Sequence, residues 1–100
     1  MKLNPNVDVS GVSPEICLAM TVVSWVYWSY CERITVTSCK DGNHSRSSLH
    51  YTGDAIDLRI KDMTKPMAKA ISDEIRESLG LQYDVVLEKT HIHIEFQPKR

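Results

Sequence analysis

Residues 55–60 read AIDLRI, and the alternation of their side chains decides the fold around which the rest of the chain is arranged. Ile56, Leu58 and Ile60 recur at every second position with polar residues between them, which is the period of a strand with one apolar face. The strand therefore turns its aliphatic side chains toward a core. Asp57 projects from the opposite face.

The C-terminal stretch HIHIEF, residues 91–96, has the same period. Ile92 and Ile94 point one way and His91 and His93 the other, because side chains alternate along a strand. Two imidazoles thus share one face. The brief polar step that separates this stretch from the preceding strand pattern fits either a hairpin or a bulged single strand.

The remaining elements follow from caps and periodicity. Ser13-Pro14-Glu15 has the order of a helix start, and Gly80 is a helix stop after an amphipathic run. The apolar stretch after Pro14 is read as a buried core helix, too short and too polar for a membrane span. The predicted elements are helices at 14–30 and 64–80, strands at 33–38, 55–60, 83–88 and 91–96, and a long loop at 39–54.

Composition indicates one folded domain over residues 1–100, with 42% hydrophobic and 25% charged residues. We expect an α+β fold in which a small, mainly antiparallel sheet packs against two helices, and we expect a monomer. A net charge of −1 argues against a nucleic-acid partner. The three cysteines lack CxxC spacing and are expected to be reduced and mostly buried.

Metal-competent side chains are concentrated in two segments, with His50 and Asp57 in the first and His91 and His93 in the second. Histidine nitrogens and a carboxylate oxygen are typical ligands of a catalytic zinc, which keeps one position for water. Short patterns such as HxH also occur by chance, so a polar sheet face without metal remains an alternative. The spacing by itself indicates a plausible zinc site.

Residues 48–57, SLHYTGDAID, resemble the SxHxxGxAxD signature of the zinc D-Ala-D-Ala carboxypeptidase and dipeptidase family. That family includes phage L-alanyl-D-glutamate endopeptidases and is structurally related to the Hedgehog signalling domain. The stretch LEKTHIHIEF, residues 87–96, resembles the second motif of the family, in the same order and at a similar distance. The resemblance implies a Hedgehog/DD-peptidase-like fold bearing one Zn²⁺ ion.

Carried over by position, the resemblance implies His50, Asp57 and His93 as zinc ligands, with His91 as the alternative third ligand. With His93 as ligand, His91 is expected to stabilise the charge that develops on the scissile carbonyl oxygen. Gly53 is expected to make the turn between the first two ligands.

The expected catalytic acid/base is Glu88, which lies three residues before His91 and five before His93. The family often places an acid three residues before the ligand histidine, and here that position before His93 is Thr90. Arg46 and Ser48 are candidates for holding a substrate carboxylate, since guanidinium pairs well with that group. The alternatives are a solvated loop charge for Arg46 and, for Ser48, a side-chain hydrogen bond that braces the loop.

The function implied is hydrolysis of a peptidoglycan stem peptide, or another peptide that contains D-amino acids, by metal-activated water. The alternative is a noncatalytic zinc-binding relative that acts as a structural or ligand-binding module. No apolar signal-peptide core is visible in residues 1–11, so we expect synthesis in the cytoplasm without an export signal. A phage endolysin released at lysis, or a virion component, would then reach the cell wall.

Overall fold

The computed structural model describes residues 2–3, 12–30, 32–38 and 54–97. Within these ranges the chain forms an α+β domain in which two helices pack on one face of a five-stranded sheet. In chain order the elements are β1 (Lys2–Leu3), α1 (Pro14–Ser29), β2 (Thr35–Ser38), β3 (Ala55–Arg59), α2 (Lys65–Leu79), β4 (Tyr83–Leu87) and β5 (His91–Phe96). The prediction of a mainly antiparallel sheet backed by two helices is confirmed.

The sheet has the order β1-β2-β3-β5-β4. Strand β3, which carries Asp57, therefore lies beside β5, which carries His91 and His93. Among the described strands, β1 pairs with β2 in parallel, and every other neighbouring pair is antiparallel. In the register of β3 with β5, Asp57 lies opposite His93 and Arg59 lies opposite His91. This pairing places the aspartate and both histidines on the same face.

The opposite face of these strands forms the core. Ile56 and Leu58 on β3, and Ile92 and Ile94 on β5, are fully buried against the helices. Burying one such side chain contributes about 1.5–3 kcal/mol relative to leaving it exposed. The apolar half of each alternating strand therefore fixes which face is left for polar residues.

Both helices begin where their caps predict, and α2 also ends at its predicted glycine. The Ser13 hydroxyl oxygen accepts a hydrogen bond from the Ile16 amide at 3.2 Å, and the Thr64 hydroxyl oxygen accepts one from the Met67 amide at 3.3 Å. These contacts satisfy amide donors that the first turn of a helix leaves without partners. Gly80 ends α2 with a φ of +82°, a conformation that glycine adopts without a Cβ penalty.

Helix α1 was expected to be a buried core helix, but the structure buries only one side of it. Val23 and Tyr27 are fully buried, whereas Trp25 and Trp28 are 73% and 76% exposed. The helix is apolar around its whole circumference, so the sequence does not show which side the sheet covers. Cys17 on this helix is also exposed, and the expectation of a buried thiol there is wrong.

The C-terminal strands form a hairpin, which settles the choice between a hairpin and a bulged single strand. Strand β4 is an edge strand, and side chains hold it against both helices. The Arg76 guanidinium donates to the Val85 carbonyl at 2.9 Å, and the Tyr83 hydroxyl donates to the Glu15 carbonyl at 2.8 Å. Within the described residues, neither helix has the length and apolarity that crossing a membrane requires.

Candidate functional site

The centre of the polar sheet face is a direct contact between β3 and β5. Asp57 and His93 face each other across the strands, with 2.7 Å between Asp57 Oδ1 and His93 Nδ1. The aspartate is buried, with 8% of its surface exposed. A buried carboxylate is costly unless it is paired, and the imidazole supplies that pairing.

The second ring nitrogen of His93 meets another carboxylate. Glu95 Oε1 lies 2.7 Å from His93 Nε2, and the Gln97 side-chain amide donates to Glu95 Oε2 at 2.9 Å. The hydrogen bond to Asp57, helped by Glu95 and opposed by burial, raises the pKa of His93 to about 9. The His93 imidazolium can therefore donate to both carboxylates at neutral pH.

His91 lies beside this pair but is too far from Asp57 for a hydrogen bond. Its Nε2 is 3.7 Å from Asp57 Oδ1 and 3.6 Å from Glu88 Oε2. Its Nδ1 is 2.9 Å from the Thr90 hydroxyl oxygen. The ring is thus oriented by Thr90 on one side and directs its other nitrogen between two carboxylates.

The hairpin turn brings Glu88 to this position. Residues 89–90 lie in the turn between β4 and β5, and the Glu88 amide donates to the His91 carbonyl oxygen at 2.9 Å. A two-residue connection keeps the residues that flank it opposite one another. The Glu88 carboxylate, 48% exposed, therefore lies on the polar face beside His91 and remains open to solvent.

The structure thus brings together four of the predicted site residues: Asp57, Glu88, His91 and His93. His50, Arg46 and Ser48, as well as Gly53, lie outside the described residues, so their predicted roles stay predictions. In the part of the chain that the structure describes, no group of three or more histidine, cysteine, aspartate or glutamate side chains could hold a metal ion.

Sequence reasoning missed Glu95 and Gln97 as members of this network. The signal was present, because the period of β5 places Glu95 on the same face as both histidines. A carboxylate on the second nitrogen of a histidine fixes the tautomer and the orientation of the ring. Glu95 is therefore placed to orient His93, and Gln97 to orient Glu95.

No model of a known protein family matches this chain, and no curated protein shows significant similarity to it.

Proposed function

We propose that this protein is a zinc peptidase that hydrolyses peptidoglycan stem peptides, of the D-Ala-D-Ala carboxypeptidase or L-Ala-D-Glu endopeptidase type. The observation that carries the proposal is the contact between Asp57 and His93 at 2.7 Å. Asp57 is the last residue of the first motif and His93 belongs to the second, so the contact brings the two motifs together. The proposal includes a Hedgehog/DD-peptidase-like fold and action at the cell wall, after phage-mediated release or as a virion component.

The donor chemistry of this pair fits zinc. A carboxylate oxygen and an imidazole nitrogen are both common zinc ligands, and here they lie on neighbouring rigid strands. His50 would complete the set of three protein ligands. Metal binding at the pair requires His93 to be neutral at the nitrogen that faces Asp57.

The contacts of the two histidines support His93 over His91 as the third ligand. His93 directs Nδ1 toward Asp57, while Glu95 holds Nε2 at 2.7 Å. A carboxylate on the remote nitrogen is the usual companion of a metal-ligating histidine. His91 has a hydroxyl in that position, and its Nε2 is 3.7 Å from Asp57, so its ring is better placed to face the substrate.

The proposed mechanism gives each residue one task. Bound zinc would polarise the scissile carbonyl and make the attacking water more acidic. Glu88 takes the proton of that water and delivers it to the leaving amine. His91 donates a hydrogen bond to the carbonyl oxygen as negative charge develops there. Arg46 and Ser48 hold a carboxylate of the substrate.

Digestion of purified muropeptides, followed by mass analysis, tests this function. We expect a defined stem-peptide cleavage that a chelator abolishes and that added Zn²⁺ restores. Glu88→Gln keeps the shape of the side chain but not its basicity, and should reduce turnover by about 10²–10⁴-fold. Glu77→Gln, on the exposed side of α2, is the matched control and should leave turnover unchanged.

One observation favours a second function, a noncatalytic zinc-binding module. Thr90 occupies the position three residues before His93, and its hydroxyl contacts His91. Thr90 cannot act as a general base, so catalysis depends on Glu88 from the other end of the turn. Purified protein that retains one zinc per chain, but cleaves no muropeptide under any condition, would establish this function and overturn the peptidase proposal.

A further inference from the structure

A basic cleft adjoins the candidate site at the end of the sheet where Arg59 on β3 lies opposite His91 on β5. It has a volume of about 820 Å³, and its walls carry the four cationic side chains of Arg59, Lys61, Lys65 and Lys89 in addition to His91. Buried apolar residues, among them Ile60 and Ala68, also line it. We refer to this space, defined by the four cations and His91, as the basic cleft.

The cations of the basic cleft are poorly neutralised. Among the described residues, the one ion pair within the four joins Arg59 to Asp62, with 3.1 Å between Arg59 Nη2 and Asp62 Oδ2. Lys61, Lys65 and Lys89 are exposed. The carboxylates of Glu88 and Asp57 lie 3.6 Å and 3.7 Å from His91 Nε2, at the edge of the basic cleft. This positive surface contrasts with the chain as a whole, whose net charge is −1.

The distance from the basic cleft to the candidate site follows from strand geometry. Arg59 lies two residues beyond Asp57 on β3, and His91 lies two residues before His93 on β5. Two strand residues span about 6.5–7 Å, which is also the length of about two residues of an extended peptide. A peptide with its scissile bond at Asp57 and His93 would therefore place a neighbouring residue in the basic cleft.

We propose that the basic cleft binds a carboxylate of an anionic peptide substrate, about two residues from the scissile bond. This inference deepens the proposed function and rests on it for the identity of the ligand as a substrate. Lysine ammonium groups attract a carboxylate from several directions, and the apolar lining accommodates the carbon chain that carries it.

The size and charge of the basic cleft favour a peptide carboxylate over nucleic acid. Nucleic-acid binding requires a row of phosphate contacts along an extended basic surface. Here the cations surround one space. Farther along α2, the side chains of Lys69 and Arg76 both pair with Asp73. Because these two cations are already paired, α2 does not extend the basic cleft into a row of phosphate contacts.

The test is a binding titration with a stem pentapeptide whose carboxylates are free, compared with the same peptide carrying primary amides in their place. The full chain with Glu88→Gln is used throughout, so that the peptide is not consumed. We expect the free acid to bind about tenfold more tightly than the amide, and added salt to reduce the difference. The double variant K61Q/K65Q should remove most of the difference.

Lys69→Gln is the matched control, because Lys69 follows Lys65 by one turn of α2 and pairs with Asp73 at 2.8 Å, outside the basic cleft. It should retain the preference for the acid. Equal binding of acid and amide, or an equal loss in the Lys69 control, would overturn the inference. Inorganic phosphate or an oligonucleotide that binds as tightly as the free acid would overturn the assignment to a peptide carboxylate.

Turnover by the chain with Glu88 intact separates this inference from the proposed function. Cleavage of acid and amide with the same kcat/KM overturns the proposal that the basic cleft binds a carboxylate. It does not contradict the peptidase proposal. A lysine-dependent preference for the acid, with no cleavage of any stem peptide, overturns the peptidase and with it the assignment of the bound carboxylate to a substrate. A KM that rises about tenfold in K61Q/K65Q, at unchanged kcat, supports both the carboxylate-binding cleft and the peptidase.

Discussion

The two faces of β3 and β5 are made by the same two strands and have opposite characters. On the helix side, Ile56 and Ile94 lie opposite each other and are fully buried. On the other side, Asp57 and His93 lie opposite each other and form a hydrogen-bonded pair. Adjacent residues on each strand thus form the buried core on one face and a hydrogen-bonded polar network on the other.

The difference shows how the apolar face places the polar one. A shift of one residue in the pairing of β3 with β5 would turn every side chain of the shifted strand to the other face. Burial of four aliphatic side chains on these strands opposes that shift. The contact between Asp57 and His93 is therefore maintained by residues that do not touch it. Variants on the two faces should separate stability from metal binding.

The largest effect is expected on the helix side, from Ile94→Ala. Ile94 is fully buried between Ile56 on β3 and Val85 on β4. Removing its side chain leaves a cavity and should lower the free energy of unfolding by about 3 kcal/mol, measured by urea titration. Val86→Ala is the matched control, because Val86 lies opposite His93 and is 46% exposed.

The control should cost no more than about 0.5 kcal/mol. An equal loss in the two variants would contradict the contrast between the faces, because it would mean that the polar face also depends on tight packing.

A smaller effect is expected on the polar side, from Glu95→Gln. The change keeps the size of the side chain but replaces the carboxylate that faces His93 Nε2 at 2.7 Å with an amide. If His93 is a zinc ligand, the affinity for zinc should fall by about tenfold to a hundredfold, since such partners orient the ring and raise its basicity. Competition with a chromophoric chelator measures this affinity.

The same variant should leave urea unfolding of the metal-free protein within about 1 kcal/mol of the original chain, since the change is isosteric. Unchanged zinc affinity would argue that Glu95 neutralises charge without orienting a ligand. A zinc affinity that falls equally in Glu77→Gln would show that the effect comes from net charge alone.

The sequence predicts the faces of the strands but not their partners. Period-two alternation places Asp57 and both histidines on the face opposite the aliphatic side chains, and the strand register confirms it. Alternation does not specify which histidine lies opposite Asp57, because that depends on the register of a strand that begins 34 residues farther along the chain. The sequence therefore left the choice between His91 and His93 open, whereas the observed contacts distinguish the two rings.

The sequence also does not predict which side of an apolar helix is buried. Trp25 and Trp28 belong to an apolar stretch that predicts burial, yet both are exposed on the outer side of α1. A helix that is apolar all round carries no information about which side is covered. Glu95 was missed for a related reason, since a carboxylate on a strand is most often a solvated charge.

The smallest effect is expected from Tyr27→Phe, which removes a connection between the helix side and β3. The buried Tyr27 hydroxyl donates to the Arg59 carbonyl oxygen at 3.2 Å, on the residue whose side chain lines the basic cleft. Losing this hydrogen bond should lower the free energy of unfolding by about 1 kcal/mol at pH 8.

The stability difference between the original chain and the Tyr27→Phe variant should change with pH in one direction. Burial, with a smaller contribution from the charge of Glu32, raises the pKa of Tyr27 far above its ordinary value. The folded state therefore holds the phenol proton more tightly than the unfolded state. This contribution to stability is complete below about pH 10, the unfolded pKa, and is lost by about 1.4 kcal/mol per pH unit above it.

Tyr27→Phe has no such loss, so its deficit of about 1 kcal/mol should vanish or reverse by about pH 11. Urea unfolding of both proteins at pH 8 and about pH 11 measures this, and other titrating groups cancel because they are common to both chains. A deficit that stays constant or grows with pH would mean that Tyr27 ionises as easily in the folded state as in the unfolded one. The phenol would then not be the buried link between α1 and the strand that carries Asp57.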